Sequence, residues 1–414
     1  MDAIVLQLSP LPHLMRTIYH NIGSLQTMDD KSVNSSAKAI IVEGNKITNI
    51  VDSIDEYESS DALFIDVGGR SVVPGFIDAH NHLLWSGDRF NEHNLRLQGK
   101  SYADIAKMGG GIMETVRSTQ LASDQELYTL GRKRMEQALR NGTTFMEAKS
   151  GYGLSTEREL RLLNLVHNLK KEATLPSLHS TWMGAHAVTP EHTYSTYTDE
   201  ILSEQLPAIL ESNMAESADV FCEPGWFTVE QSEEILRSSR DGGLDLRIHI
   251  DEFADGGGGE LAAELSVRTA DHAHHTPLDT RIKMRDSGVM TGFLPGTPYC
   301  NGDEWPDFSL AKEHNIPFSL ATDFNPNCYT NSLPFIGSLA VQRNGMTPYD
   351  ALYCVTRQAA ISTPRSDGLE HGIIRVGAVA NFNILTSRHW ESWCMTPSSS
   401  PVYSVCLEGQ YIEF

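Results

Sequence analysis

The chain has 414 residues, 40% of them hydrophobic and 21% charged, enough for one large domain plus a smaller one, or for two to three ordinary domains. The formal charge is −22 with no long acidic block, which disfavours nucleic acid and anionic membranes as partners. No window reaches the ~18 uninterrupted apolar residues of a membrane span.

The N-terminus, MDAIVLQLSPLPHLMR, reads as a poor signal peptide, because prolines interrupt the apolar run. Cysteines at 222, 300, 328, 354, 394 and 406 are scattered with no C-x-x-C pair, the pattern of reduced thiols in a cytoplasmic protein. AIIVEGNKITNIV, 39–51, reads as two strands turning at Gly44-Asn45. FIDVGGRSVVPGFID follows, broken at Gly68-Gly69 and Pro74-Gly75. The C-terminal stretches GIIRVGAVANFNILTSR and VYSVCLEGQYIEF have the same β-rich, turn-rich texture.

Between them, eight apolar segments read as buried strands. They are VVPGFIDAHNH, TTFMEAKSG, LHSTWMGAHA, DVFCEPG, LDLRIHIDEF, TADHAHH, VMTGFLPGT and PFSLATDFN. Helical patterns separate them: 123–142 with Ser123 and Asp124 as cap candidates and Gly142 as a stop, 155–172 with a leucine stripe, then 279–288 and 308–315. The first crossover, 83–142, is long enough for an added helix and loop. The expected fold is α/β: a (β/α)8 TIM barrel over 75–374, inserted in a small β-sandwich-like domain formed by both termini, 1–74 and 375–414.

Each expected strand ends in a chemically capable residue, and barrels of this kind carry their sites at those ends. The ends are His80 and His82; Glu147, Lys149 and Tyr152; His186; Glu223; His249, Asp251 and Glu252; His272; Gly296-Thr297; and Asp323. Side chains alternate along a strand, so His80 and His82 share a face and Asn81 points away. With His249 and Asp323 they form a three-imidazole, one-carboxylate set for a single divalent metal, Zn²⁺ or less selectively Fe²⁺. Lys149 reads as an ion-pairing partner of Glu147 rather than a carbamylated bridge between two metals. Glu252 should lie on a loop beyond its strand, and the glycines of DGGGGE and MGGGI should let the rim turn tightly. Of the three histidines 272, 274 and 275, His272 is the one expected to face the site; His179 reads as a satisfied interior histidine.

PGFIDAHNH with a late Asp on the eighth strand resembles the amidohydrolase superfamily. SGDRFNEHNLRLQGKSYADIAKMGGGI, EAKSGYGL, GAHAVTPEH, HIDEFADGGGGELAAEL, LPGT and DFNPN are similar to the imidazolonepropionase family, DFNPN in the form of its animal-type branch. The resemblance implies hydrolysis of 4-imidazolone-5-propionate to N-formimino-L-glutamate in histidine degradation, by cleavage of a cyclic C–N bond. It also implies that His80, His82, His249 and Asp323 hold the metal. By the same resemblance Arg89 and Tyr152 hold the propionate carboxylate, Tyr102, Asn325 and Asn327 make further substrate contacts, and His186 and His272 flank the ring. Glu252 matches the residue that handles water or ring protons, with His272 and Asp323 as the other catalytic candidates. Asn381 stands where the superfamily usually has Asp, and Asn327-Cys328 where bacterial members have small residues. A homodimer is common in the superfamily. The alternatives are another cyclic-amide hydrolase or deaminase, or a degenerate barrel that only binds. Arg89 and Tyr152 argue against a neutral substrate, and the intact metal set argues against the degenerate barrel.

Overall fold

A computed structural model describes residues 16–29, 37–57, 61–302 and 304–414. At its centre is an eight-stranded parallel sheet in sequential order. We number its strands β1 (Phe76–Asp78), β2 (Thr143–Lys149), β3 (Ser177–Ala185), β4 (Ser217–Cys222), β5 (Asp245–Ile250), β6 (Thr269–His272), β7 (Met290–Phe293) and β8 (Phe318–Leu320). The strands are buried almost throughout, as expected of a parallel sheet covered by helices. The ring closes just beyond the strands: Asp323 N donates to His80 O at 3.1 Å, and His82 N to Phe324 O at 3.0 Å.

Side chains reinforce that closure. The buried Asp78 accepts from Thr322 N at 2.9 Å, Thr322 Oγ1 at 2.6 Å and Asn81 Nδ2 at 2.8 Å. Burial raises its carboxyl to about 6. Asn81 therefore does turn away from the histidine face and braces the end of β1.

The expected helices are present. Asp124–Arg140 starts at Ser123, whose hydroxyl and Glu126 form a capping box. Thr156–Leu169 buries its leucine stripe against the barrel. Two sequence readings need correction. The first crossover holds three added helices rather than one: Glu92–Leu97, Tyr102–Lys107 and Ile112–Leu121. The segment 72–82 is not one strand. Gly75 breaks it, so Ser71–Pro74 joins a different sheet from β1. A Cβ on Gly75 would lie 2.2 Å from Thr144 Oγ1, so the chain can pass β2 there only without a side chain.

The remaining strands form two sheets. One, of four strands, takes Arg16–His20, Ala39–Glu43, Lys46–Val51 and Ala62–Asp66 from the N-terminal part. The other, of five, combines Ser24–Leu25 and Ser71–Pro74 with Phe382–Leu385, Val402–Leu407 and Gln410–Glu413. Tyr19, Ile40, Val42 and Ile47 pack with Val72, Phe382, Ile384 and Cys406 between them, a sandwich-like core. Placing the domain boundaries at 74/75 and 374/375 is our proposal.

Asp78→Ala would strand three buried donors at the seam of the ring. The expected loss of stability is about 3 kcal/mol or more, read from the urea midpoint. A loss below about 1 kcal/mol would show that the main-chain bonds close the ring unaided.

Candidate active site

The C-terminal ends of the strands bring the predicted residues into one cluster. His80 and His82 have ring centroids 5.4 Å apart, and His249 lies 4.5 Å from His80 and 5.6 Å from His82. Asp323 Oδ1 lies 3.5 Å from His80 Nε2 and 3.8 Å from His82 Nε2. His272 joins them, 5.6 Å from His80 and 5.3 Å from His249. Two overlapping groups have donor atoms close enough for one ion: His80, His82 and Asp323, and His80, His249 and His272.

Two carboxylates orient the rings. Asp271 Oδ2 accepts from His80 Nδ1 at 2.6 Å, and Asp219 Oδ1 from His249 Nδ1 at 3.0 Å. Each pairing leaves Nε2 as the lone-pair nitrogen. His80 Nε2, His249 Nε2 and His82 Nδ1 are buried without a hydrogen-bond partner. Burial, reinforced by the Lys149 ammonium and the crowding of the imidazoles, holds His80, His82 and His272 well below the ordinary histidine range, so the rings are neutral. Three orphaned nitrogens beside a carboxylate would be costly in a site with no further occupant. The donor set fits a divalent metal ion.

Beneath the histidines lies a buried charge network. The Lys149 ammonium sits 2.9 Å from Glu147 and also pairs with Asp219. Arg247 Nε lies 3.2 Å from Glu147 Oε1. Burial alone would discharge Lys149, but Asp219 and Glu147 more than offset it and hold its pKa above the usual value. Burial likewise opposes Asp219's charge, yet His249 and Lys149 keep its carboxyl well below the ordinary range. The sequence reading of Lys149 as an ion pair with Glu147 holds; the tie to Asp219 is additional.

The other candidates are distributed around this centre. His186 stacks on His82 at 5.2 Å and uses Nδ1 on Gly151 O at 2.9 Å. Burial lowers its pKa to about 3. Tyr152 lies 5.2 Å from His186 and 5.9 Å from His82. Glu252 Oε2 is 3.7 Å from His272 Nε2. A narrow cleft beside Glu252 and His272 is also lined by His274, Leu294, Thr297 and Pro298. Arg134 fixes the loop after His82, donating to Leu83 O and Trp85 O at 2.7 and 2.9 Å and stacking over the Trp85 ring.

Arg89 is buried and gives Nε and Nη2 to Glu92 Oε2 at 3.0 and 2.7 Å. Glu92 in turn accepts from Gly111 N at 2.8 Å, so the MGGGI turn helps to hold the arginine. Asn325 and Asn327 serve the rim itself. Asn325 Oδ1 accepts from Asn327 N and Cys328 N at 2.7 and 3.1 Å, while its Nδ2 donates to Asp323 O at 2.8 Å. Asn327 pairs with Arg96 and Asn301. Tyr102 opens its short helix, and its side chain lies outside the described residues. His179 is an interior histidine, bonded to Ser217 Oγ at 2.7 Å.

Thr297, read only as a strand end, donates its hydroxyl to Asp323 Oδ2 at 2.5 Å, and sequence reasoning missed Asp219 and Asp271. Their signal was a lone carboxylate inside an apolar strand, as in SADVFC and TADH. A wider cavity at the opposite end of the barrel is lined by Arg240, Asp245, Glu264 and Arg268. It presents none of the histidines, and Arg268 and Asp245 are paired there at 2.7 Å.

Comparison with known proteins gives the family. The amidohydrolase family matches residues 71–404. Imidazolonepropionase of Shewanella sediminis is 39% identical over 82% of this chain and 83% of its own length. That of Symbiobacterium thermophilum is 40% identical over 80% and 78%. Among solved structures, atrazine chlorohydrolase of Arthrobacter aurescens TC1, complexed with zinc, superposes with a TM-score of 0.71 at 16% identity, covering 95% of this chain and 94% of that one. A Xaa-Pro dipeptidase superposes at 0.71 and 14% identity, covering 96% and 100%. These two likenesses show the barrel fold; the relatives of higher identity place the protein more narrowly. The chain belongs to the amidohydrolase family and, within it, to the imidazolonepropionases.

Proposed function

We propose that the protein hydrolyses 4-imidazolone-5-propionate to N-formimino-L-glutamate, a step of histidine degradation, using one divalent metal ion. The observation that carries the reading is the buried cluster of His80, His82, His249 and Asp323, with His80 Nε2 and His249 Nε2 left without a hydrogen-bond partner, in a chain related to imidazolonepropionases. His80, His82, His249 and Asp323 would hold the ion; the donor set suits Zn²⁺, with Fe²⁺ second. Such an ion lowers the pKa of bound water toward ~7 and polarises a carbonyl.

The reaction forms a C–O bond at the ring carbonyl carbon and breaks that carbon's bond to the ring nitrogen, which leaves with a proton. Glu252 takes the proton from the attacking water and returns it to the nitrogen. His272, neutral and adjacent, donates to the oxygen as it gains negative charge. Arg89 and Tyr152 hold the propionate, and Glu92 fixes the guanidinium from behind. His186, held by Gly151 O, forms a wall against the ring. The neutral-base rivals have no use for this carboxylate clamp. The six unpaired cysteines support a reducing, cytoplasmic setting, and no described helix is long and apolar enough to cross a membrane. A homodimer is the assembly we expect.

The direct test is loss of imidazolone absorbance on adding metal-loaded protein; absence of turnover would overturn the assignment. Elemental analysis should give about one divalent ion per chain. Two ions together with a carbamylated Lys149 would replace the single-metal reading. Glu252→Gln should lower kcat by roughly 10²–10⁴-fold at unchanged metal content; near-normal turnover would move the proton relay to His272 or Asp323.

Arg89→Met removes a charge-assisted pair of about 1.5–3 kcal/mol, roughly 10- to 150-fold in kcat/KM. An analogue whose propionate is replaced by a neutral amide should be hardly affected. Equal losses on both substrates would show that Arg89 serves only its pair with Glu92.

A further inference from the structure

Glu223, just beyond β4, is a buried carboxylate with no part in the steps above. It is 3% exposed, and its carboxylate bonds to one neighbouring turn. Oε2 accepts from Glu252 N at 3.0 Å; Oε1 accepts from Phe253 N at 2.9 Å and Ala254 N at 3.0 Å. Three consecutive amides of the loop after β5 thus converge on one side chain from the adjacent strand.

The same turn is tied from its other side. Asp251 has a left-handed φ of 49°. Its carboxylate accepts from Gly256 N at 3.0 Å and Thr276 Oγ1 at 2.5 Å, and its carbonyl from His275 N at 2.9 Å. Glu252 lies between these two anchors, and its side chain reaches to 3.7 Å from His272.

We propose that Glu223 is a positioning residue for Glu252: it fixes the turn from which the Glu252 carboxylate projects toward the reacting atoms. The inference rests on the reading of Glu252 as proton carrier. A carboxylate suits the task because it only accepts, and its two oxygens have lone pairs enough for three N–H donors. Glutamine would turn an NH₂ toward at least one of those amides. Aspartate would keep the charge but fall short by one methylene. Displacing a proton carrier by about 1 Å can cost on the order of 10²-fold.

The test is a double-substitution cycle on the metal-loaded enzyme with Glu223→Gln, Glu252→Gln and both together. Glu223→Gln should lower kcat by about 10- to 100-fold, with KM and metal content near wild type and faster hydrogen exchange at amides 252–254. In the Glu252→Gln background it should cost no more than about a further 2-fold. Losses that multiply, a kcat near wild type, or a parallel loss of metal would overturn the proposal. If Glu223→Gln fails to fold, Glu223→Asp carries the same cycle, with a smaller first loss and the same absence of a second. A Glu252→Gln enzyme of normal rate would remove the Glu252 reading and this one together. A slow Glu252→Gln enzyme beside a normal Glu223→Gln enzyme would remove this one alone.

Discussion

Lys149 is a fully buried ammonium under a ring of histidines, and the site depends on how its charge is compensated. An isolated charge at that depth would be expelled or neutralised. Here Glu147 and Asp219 surround it, Arg247 balances Glu147, and Asp219 spends its second oxygen on His249 Nδ1. The charges of β2, β4 and β5 are therefore interdependent. Removing any one leaves another uncompensated, and the orientation of His249 follows from electrostatics several ångströms below it. Asp271 does the same for His80 from β6, its carboxyl raised to about 6 chiefly by burial. Two of the imidazoles, His80 and His249, are thus aimed by buried carboxylates beneath them.

The second constraint is conformational. Asp251, His272, Ala273 and Asp323 all have left-handed φ values, between 48° and 64°. Such values are uncommon for residues with side chains and cost energy where they occur. They fall where the chain leaves β5, β6 and β8, and they let consecutive residues there serve different partners. Asp271 turns to His80 while His272 faces the cleft; Asp323 reaches the histidines while Asn325 folds back onto its carbonyl. The hydroxyls and amides of the rim satisfy the carboxylates that this geometry exposes.

The barrel and the clustering of His80, His82, His249 and Asp323 could be read from the sequence because local patterns encode them. Apolar segments repeat at β/α spacing, and His80 and His82 share a strand face by simple alternation. The orienting carboxylates could not be read so easily. Asp219 and Asp271 sit inside strands, and only their neighbours across the sheet give them a role. Arg89's pairing with Glu92 is a local i,i+3 contact open to sequence reading, but the bond from Gly111 N that holds Glu92 depends on three short helices where the sequence suggested one. Asn325 and Asn327 carry family likeness, yet their hydrogen bonds hold the loop together, a role set by local geometry. Ser71–Pro74 and β1 read as one buried segment despite the Pro74-Gly75 break, and the crowding of Gly75 against Thr144 shows why the two halves part into different sheets.

The five-stranded sheet joins the two ends of the chain, with Val73 registered against Asn383 and Pro74 against Phe382. This has a consequence for synthesis. A ribosome adding ~5–20 residues per second needs roughly 15–60 s to travel from one partner to the other. During that interval Val72 and Val73, fully buried in the finished protein, lack the strand that covers them. The barrel is emerging at the same time, immediately after this open edge. A nascent chain of this design therefore carries an adhesive β edge for most of its translation. Its yield in a cell should depend on chaperone supply and on elongation speed as much as on the stability of the folded enzyme.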